Sequence, residues 1–261
     1  MRRFVTAIFI LGLSACSEQT DNREESSTTF KAAALPDFTT FTNVQKKKQA
    51  FFDYLLPMIR EANRRVKQER ELVKKWRREG SLSEEEQQQL QELISKYRVK
   101  AETEAGQQEV LLNRVNAIPA SLVLAQAANE SAWGTSRFAR QGNNLFGQWC
   151  FSKGCGLVPA ARNDGAIHEV RSFSSPMESI ESYILNLNRH NKYRQLRLIR
   201  SKQIEEKGWA SGTALAAGLI GYSERGQAYV NEIRHMIDYN GLEQYDRPQS
   251  DPQTPGEERA E

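Results

Sequence analysis

Hydrophobic positions divide the chain before any motif is considered. Across residues 44–78, Phe51, Leu55, Met58, Ile59, Ala62 and Val66 recur at three- and four-residue steps, which puts them on one face of a helix. Pro57 interrupts this run and is expected to kink it, because proline lacks the amide donor and crowds the preceding turn. Gly80 closes the segment. Ser83-Glu84-Glu85-Glu86 then has the form of a capping box, Ser83 with Glu86, ahead of Leu90, Leu93, Ile94 and Tyr97. The pattern predicts two antiparallel helices joined by Glu79-Gly80-Ser81-Leu82. A two-helix hairpin rarely stands alone, so the pair is expected to pack on the following domain rather than to serve as a stalk.

A different pattern begins near residue 110. Leu122, Val123, Leu124, Ala125, Ala127 and Ala128 are apolar on most faces, so their helix should be central and buried. Pro119 fits its start and Gly134 its end. Residues 156–162 and 167–173 flank Asn163-Asp164-Gly165, a strong hairpin signal. Helical patterns return at 175–188, 214–217 and 228–239. The expected fold class is therefore mainly α (α+β), a helical domain with a small β-hairpin lobe, preceded by a helical pair. Residues 16–43, rich in Ser, Thr, Asn and Glu, read as a flexible tether, and residues 244–261, with Pro248, Pro252 and Pro255, as a disordered tail. The helical pair then spans 44–105 and the main domain 106–243.

Composition changes this picture little. A length of 261 residues allows one ordinary domain and an accessory segment. A formal net charge of +3 with 26% charged residues lacks the bulk polarity of a nucleic-acid binder, so no nucleic-acid partner is expected. The N-terminus is more informative. Arg2 and Arg3 precede the apolar stretch 4–13, which is too short for a permanent span, and residues 1–15 read as a signal peptide. Leu13-Ser14-Ala15-Cys16 resembles the lipobox of bacterial lipoproteins, which implies lipidation of Cys16 as the mature N-terminus. Ser17, where inner-membrane lipoproteins usually carry Asp, implies a lipid-anchored protein on the periplasmic side of the outer membrane of a Gram-negative bacterium. Cys150 and Cys155 form an even pair in an exported chain, which favours a disulfide, worth about 2 kcal/mol for so short a loop. His168, His190 and His235 are scattered, so no metal and no cofactor is expected.

Glu130 carries the chemistry. It stands near the end of the apolar helix, in Ala127-Ala128-Asn129-Glu130-Ser131-Ala132-Trp133-Gly134, with Gly142-Asn143-Asn144-Leu145-Phe146-Gly147-Gln148-Trp149 close behind. A carboxyl group held against apolar surface resists ionisation, which suits a general acid that protonates the leaving oxygen of a glycosidic bond. These segments resemble the β-N-acetylglucosaminidases of glycoside hydrolase family 73. Gln148-Trp149-Cys150, Cys155-Gly156-Leu157-Val158-Pro159, Gly221-Tyr222-Ser223-Glu224-Arg225-Gly226 and the run from Phe51-Phe52 to Leu55-Leu56-Pro57 are similar to its Bax-like branch, so the resemblance covers most of residues 44–243.

The resemblance implies a lysozyme-like fold and hydrolysis of the N-acetylglucosaminyl-β-1,4-N-acetylmuramic acid bond of peptidoglycan glycan strands. Glu130 matches the catalytic acid, and Tyr222 matches a tyrosine near the cleaved sugar. The family's second acid is missing from its helix position, which is Ser182 here. Asp164 and Glu169 remain in the lobe, with Glu181 and Glu224 as further options; Glu169 is taken as the second acid, against a plain strand position. Without a secure second carboxylate, direct displacement by water and assistance by the sugar's 2-acetamido group both stay open. Asn144 and Gln148 are candidates for bonding the sugar, or for satisfying loop backbone. Phe146 and Trp149 are candidates for stacking on it, or for the core. A lytic transglycosylase or muramidase, and a non-catalytic wall-binding lipoprotein, are the rival classes.

Overall fold

The computed structural model describes residues 34–160, 162 and 165–247. The signal segment, Cys16, Asp164 and everything after Arg247 lie outside the described residues. Helix α1 spans Val44–Glu79, with Asn43 capping its first turn and Gly80 closing it in the left-handed conformation. It runs through Pro57 as one element. Pro57 and Asp53, whose carbonyl the missing amide would have bonded, are both exposed, so water can take the orphaned acceptor. Helix α2 spans Glu84–Lys96 and begins in the expected capping box of Ser83 and Glu86.

Helices α3 (Glu104–Arg114) and α4 (Ala120–Glu130) follow. Every residue of α4 from Ala120 to Ala128 is buried, as an all-round apolar helix requires. Side chains such as Leu122 and Leu124, fully enclosed, each contribute about 1.5–3 kcal/mol by leaving water. Around α4 lie α1, α8 (Gly212–Leu215) and α9 (Gln227–Tyr239), while α6 (Pro176–Arg189) packs against α1. Helices α1 and α2 thus share one core with the rest: Phe51, Leu55, Ile59, Leu90 and Leu93 belong to the same buried cluster as Leu122, Ile184 and Ile233.

Helices α5 (Arg137–Gly142) and α7 (Arg194–Lys207) have no counterpart in the hydrophobic pattern. The buried face of α7 explains its silence: besides Leu196 it consists of Arg197 and Arg200, which read as surface. The Arg200 guanidinium, fully enclosed, donates to the carbonyls of Asn113, Asn116 and Ala117 and to Asn188 Oδ1 at 2.6–3.2 Å. Burial and the nearby Arg70 and Arg197 lower its pKa to about 9. It holds together the end of α3, the approach to α4 and the end of α6.

Both presumed flexible ends reach into the fold. Asp37 caps a 3-10 turn over Phe38–Thr40, and the Phe38 ring is buried against Phe51 at 5.4 Å between centroids. Residues 34–43 are therefore part of the body, because one aromatic ring outweighs a polar neighbourhood. At the other end a 3-10 turn spans Leu242–Tyr245. The Asp246 carboxylate behind it accepts from the Ser121 amide and hydroxyl and from the Gly212 amide, at 2.8, 2.6 and 2.8 Å. Residues 244–247 are likewise folded.

The β-lobe is a three-stranded antiparallel sheet of order β1-β3-β2: β1 Trp149–Cys150, β2 Gly156–Leu157 and β3 Glu169–Arg171. Trp149 and Leu157 flank Val170 from its two sides. The hairpin pairs β2 with β3, and its last paired residues before the connection are Leu157 and Val170; Asn163 and Asp164 of the expected turn lie outside the described residues. A disulfide joins Cys150 to Cys155 across the β1–β2 connection.

Candidate active site

Glu130 is the last residue of α4, four residues before the glycine expected to end it. The helix stops because the Ser131 hydroxyl donates to the Ala127 carbonyl at 2.6 Å and accepts the Gly134 amide at 2.8 Å. Ala132, Trp133 and Gly134 then take positive φ values of 50°, 59° and 76°, a conformation costing about 1–2 kcal/mol for each non-glycine residue. A Cβ on Gly134 would stand 2.5 Å from the Phe38 ring, so only glycine fits. The turn delivers Trp133 between Phe51 and Phe52, with centroids at 5.7 and 5.5 Å, and Lys48 Nζ lies 4.9 Å over its ring. The motif after Glu130 is thus a strained turn clamped to α1, and it fixes where the carboxylate emerges.

A chain of hydrogen bonds orients that carboxylate. The Tyr183 hydroxyl donates to Gln126 Oε1. Gln126 Nε2 donates to the Tyr229 oxygen at 2.8 Å, and the Tyr229 hydroxyl donates to Glu130 Oε1 at 2.7 Å. With Oε1 committed as an acceptor, a proton on Glu130 belongs on Oε2. That oxygen faces the Gly147 turn: a Cβ there would lie 3.9 Å from it, and Gly147 has φ +63°. Burial raises the Glu130 pKa; the Tyr229 and Asn129 hydrogen bonds pull against this, and the negative Glu232 adds to it. A partly enclosed carboxyl group whose pKa is raised and whose second oxygen is fixed in direction suits a general acid.

Tyr222 is brought beside this chain. Its ring stacks on Tyr229 at 5.4 Å and 8°, and its hydroxyl donates to the Phe146 carbonyl at 3.0 Å. Burial pushes its phenol well above the ordinary range, so it acts as a neutral hydrogen-bonding group.

Four other predicted site residues turn out to have structural work. Asn144 is buried; its amide donates to the carbonyls of Gln148 and Arg171 at 2.9 and 2.8 Å, and its oxygen accepts from the amides of Phe146 and Gln148. Phe146 is also buried, stacked on Tyr183 at 4.0 Å. Gln148 donates to the Ser179 carbonyl at 3.0 Å and accepts from the Ser182 hydroxyl at 2.7 Å. Ser182, at the family's helix position for a second acid, therefore holds the loop instead. Glu169 is buried, and its two oxygens accept from the amides of Gly154 and Gly156 at 3.0 and 2.8 Å, which lowers its pKa. Those bonds tie the disulfide loop to β3, a structural rather than a proton-transfer task. Glu181 is paired with Arg65 at 2.7 Å. Cys150, Cys155 and Glu169 cluster closely enough to suggest a metal site, but the sulfurs are bonded to each other and the carboxylate is occupied by amides.

Trp149 stands apart from these. It is 58% exposed and stacks on His168 at 4.1 Å, leaving ring surface open to a ligand. Phe151, two residues on and 65% exposed, joins it on the lobe. Sequence reasoning missed Phe151, although alternation with Trp149 was the available signal. It also missed Gln126, Tyr183 and Tyr229, whose spacing in sequence gives no hint that they form one chain. Glu232, which Arg225 pairs at 2.6 Å, was missed too.

A mainly helical body with a small aromatic-bearing β-lobe, and a glutamic acid of raised pKa fixed at the end of its central helix, is the arrangement of a glycoside hydrolase. Residues 107–242 match the family described as Glucosaminidase, mannosyl-glycoprotein endo-beta-N-acetylglucosaminidase, and the chain belongs to that family. It is similar to Protein bax of Escherichia coli, with 33% identity over 220 residues covering 84% of this chain and 78% of that protein. Among solved structures it has a distant likeness to the catalytic domain of the autolysin Auto from Listeria monocytogenes. The TM-score is 0.43 and the identity 17%, over 80% of this chain and 92% of that one.

Proposed function

We propose that this protein is a peptidoglycan hydrolase that cleaves the N-acetylglucosaminyl-β-1,4-N-acetylmuramic acid bond, with Glu130 as general acid. The observation that carries this reading is the Tyr183–Gln126–Tyr229–Glu130 chain, which holds Glu130 Oε1 and leaves Oε2 turned toward the Gly147 turn. In the reading favoured by the occupied state of Glu169, the sugar's 2-acetamido oxygen attacks the anomeric carbon as Glu130 Oε2 gives its proton to the leaving oxygen. Water then opens the cyclic intermediate and returns a proton to Glu130. Tyr222 would steady the acetamido group, and Trp149 would stack on a neighbouring sugar.

The test is mass spectrometry of fragments released from purified sacculi by the wild type and by Glu130→Gln. Fragments ending in reducing N-acetylglucosamine, lost in the variant by about 10²–10⁴-fold, are expected. Anhydromuramyl ends would make the protein a lytic transglycosylase, and sacculus binding without any release would make it a wall-binding protein. We also place the enzyme on the periplasmic side of the outer membrane through a lipid on Cys16. Cys16→Ser should then appear in the soluble fraction, and unchanged membrane fractionation would reject the anchor.

A further inference from the structure

A cavity of about 620 Å³ opens at the far end of α4 from Glu130, where Ala120 and the residues before it meet the outer stripe of α1. Helix α4 is 11 residues long, so about 15 Å of buried helix separates the cavity from the acid. Five cations line it, Arg60, Lys67, Arg70, Lys74 and Arg247, against two carboxylates, Glu71 and Asp246.

Their partners sort them. Arg70 is spent on the carbonyls of Leu112 and Val115, and Lys74 pairs with Glu71 at 2.7 Å. The Asp246 carboxylate is enclosed by the donors of Ser121 and Gly212 and is not available to neutralise a cation. Arg60 and Lys67 are exposed and have no side-chain partner among the described residues. Among the described residues Arg247 is met by the Trp209 ring, at 5.9 Å, and by no carboxylate. Uncompensated positive charge is thus left on the rim of a concave site whose walls include Trp209 and Tyr245.

We propose that this cavity is a second binding site, for short peptide chains bearing free carboxylates, the kind that branch from the glycan of the wall. The spacing fits carboxylates placed along a chain. Arg60 and Lys67 are seven residues apart on one helix, about 10 Å between backbone positions, which matches about three residues of extended peptide. Because the buried α4 lies between, a strand held here is not the strand under Glu130. The site grips a neighbouring strand and keeps the enzyme on the wall between cleavages. The proposal rests on peptidoglycan being the substrate, but its test does not depend on turnover.

The experiment is co-sedimentation of the full-length protein with purified sacculi, comparing the wild type with Arg60→Glu/Lys67→Glu/Arg247→Glu, three exposed substitutions. Binding should fall about tenfold in the variant and lose its salt dependence, and circular dichroism should be unchanged. Sacculi stripped of their peptides by an amidase should bind the wild type as weakly as intact sacculi bind the variant. Cleavage of a short peptide-free glycan chain should be equal for both proteins. Unchanged sedimentation, or full binding to stripped sacculi, would overturn the proposal. Loss confined to vesicles containing phosphatidylglycerol would assign the cations to a lipid surface and overturn it as well. If sedimentation behaves as expected while neither protein releases fragments, the hydrolase reading fails and the binding site stands.

Discussion

Glu130 and Glu169 are both largely withdrawn from water, yet their acidities move in opposite directions. Glu130 at the end of α4 accepts from one hydroxyl and, at 3.5 Å, one side-chain amide, and burial prevails: its pKa is raised. Glu169 in the β-lobe receives two main-chain amides from the disulfide loop, and those bonds prevail: its pKa is lowered. The difference teaches that enclosure alone does not make an acid. The number and strength of donors aimed at the carboxylate decide whether it stores a proton or knots a loop.

The sharpest break of this comparison is exchange of the two carboxylates for amides. Glu130→Gln should abolish turnover yet raise the melting temperature at neutral pH. A carboxyl group whose folded pKa is raised lends its stability below the unfolded pKa and loses it as pH climbs through the folded one, so at neutral pH the wild type carries a cost the amide lacks. Thermal melts at pH 4 and 8 should therefore differ more at pH 8. Glu169→Gln should do the reverse. Its lowered pKa gives stability above the unfolded value that fades as pH falls through the folded one. The variant should melt earlier at neutral pH, converge with the wild type in acid, and retain most of its activity at a temperature where it stays folded. A dead but fully stable Glu169→Gln would restore it as the second acid.

Tyr229→Phe sharpens the comparison from the donor side. Removing the hydroxyl takes away a bond that favours the carboxylate, so the Glu130 pKa should rise further. The limb of the pH–rate profile where the acid loses its proton should move to higher pH, with the maximal rate lower by about tenfold because the proton is no longer confined to Oε2. An unmoved limb would reduce Tyr229 to packing. The smallest effect belongs to Trp149→Ala, expected to raise KM about three- to tenfold with little change in kcat, as loss of one stacking surface implies.

Much of the fold was legible because it is written in local patterns. The stripe from Phe51 to Val66, the capping box at Ser83 and the apolar run of α4 each predict one element and its buried face. The site was legible at Glu130, where a long apolar run meets one carboxylate. Illegibility had physical causes. Arg197 and Arg200 face inward because oxygen acceptors surround them: Arg200 meets the Asn113 carbonyl, more than eighty positions away, and Arg197 meets the Asn113 side chain and the carbonyls of Leu187 and His190. Asn144 looked like a ligand group, yet its four hydrogen bonds close the loop that carries Gly147 and Gln148. The chain Tyr183–Gln126–Tyr229 joins three helices, so no window of sequence contains it.

The clamp on Trp133 has a consequence for what counts as the enzyme. The stretch that matches the family model begins at residue 107, but the wall against which the turn after Glu130 is cast is made by Phe38, Phe51 and Phe52. A fragment cut at the family boundary would bare those aromatic contacts and release the turn that aims Glu130. The span of the family match is shorter than the mechanical unit it works in, and the helix in front, which the likeness to Protein bax also takes in, is part of the tool rather than its handle.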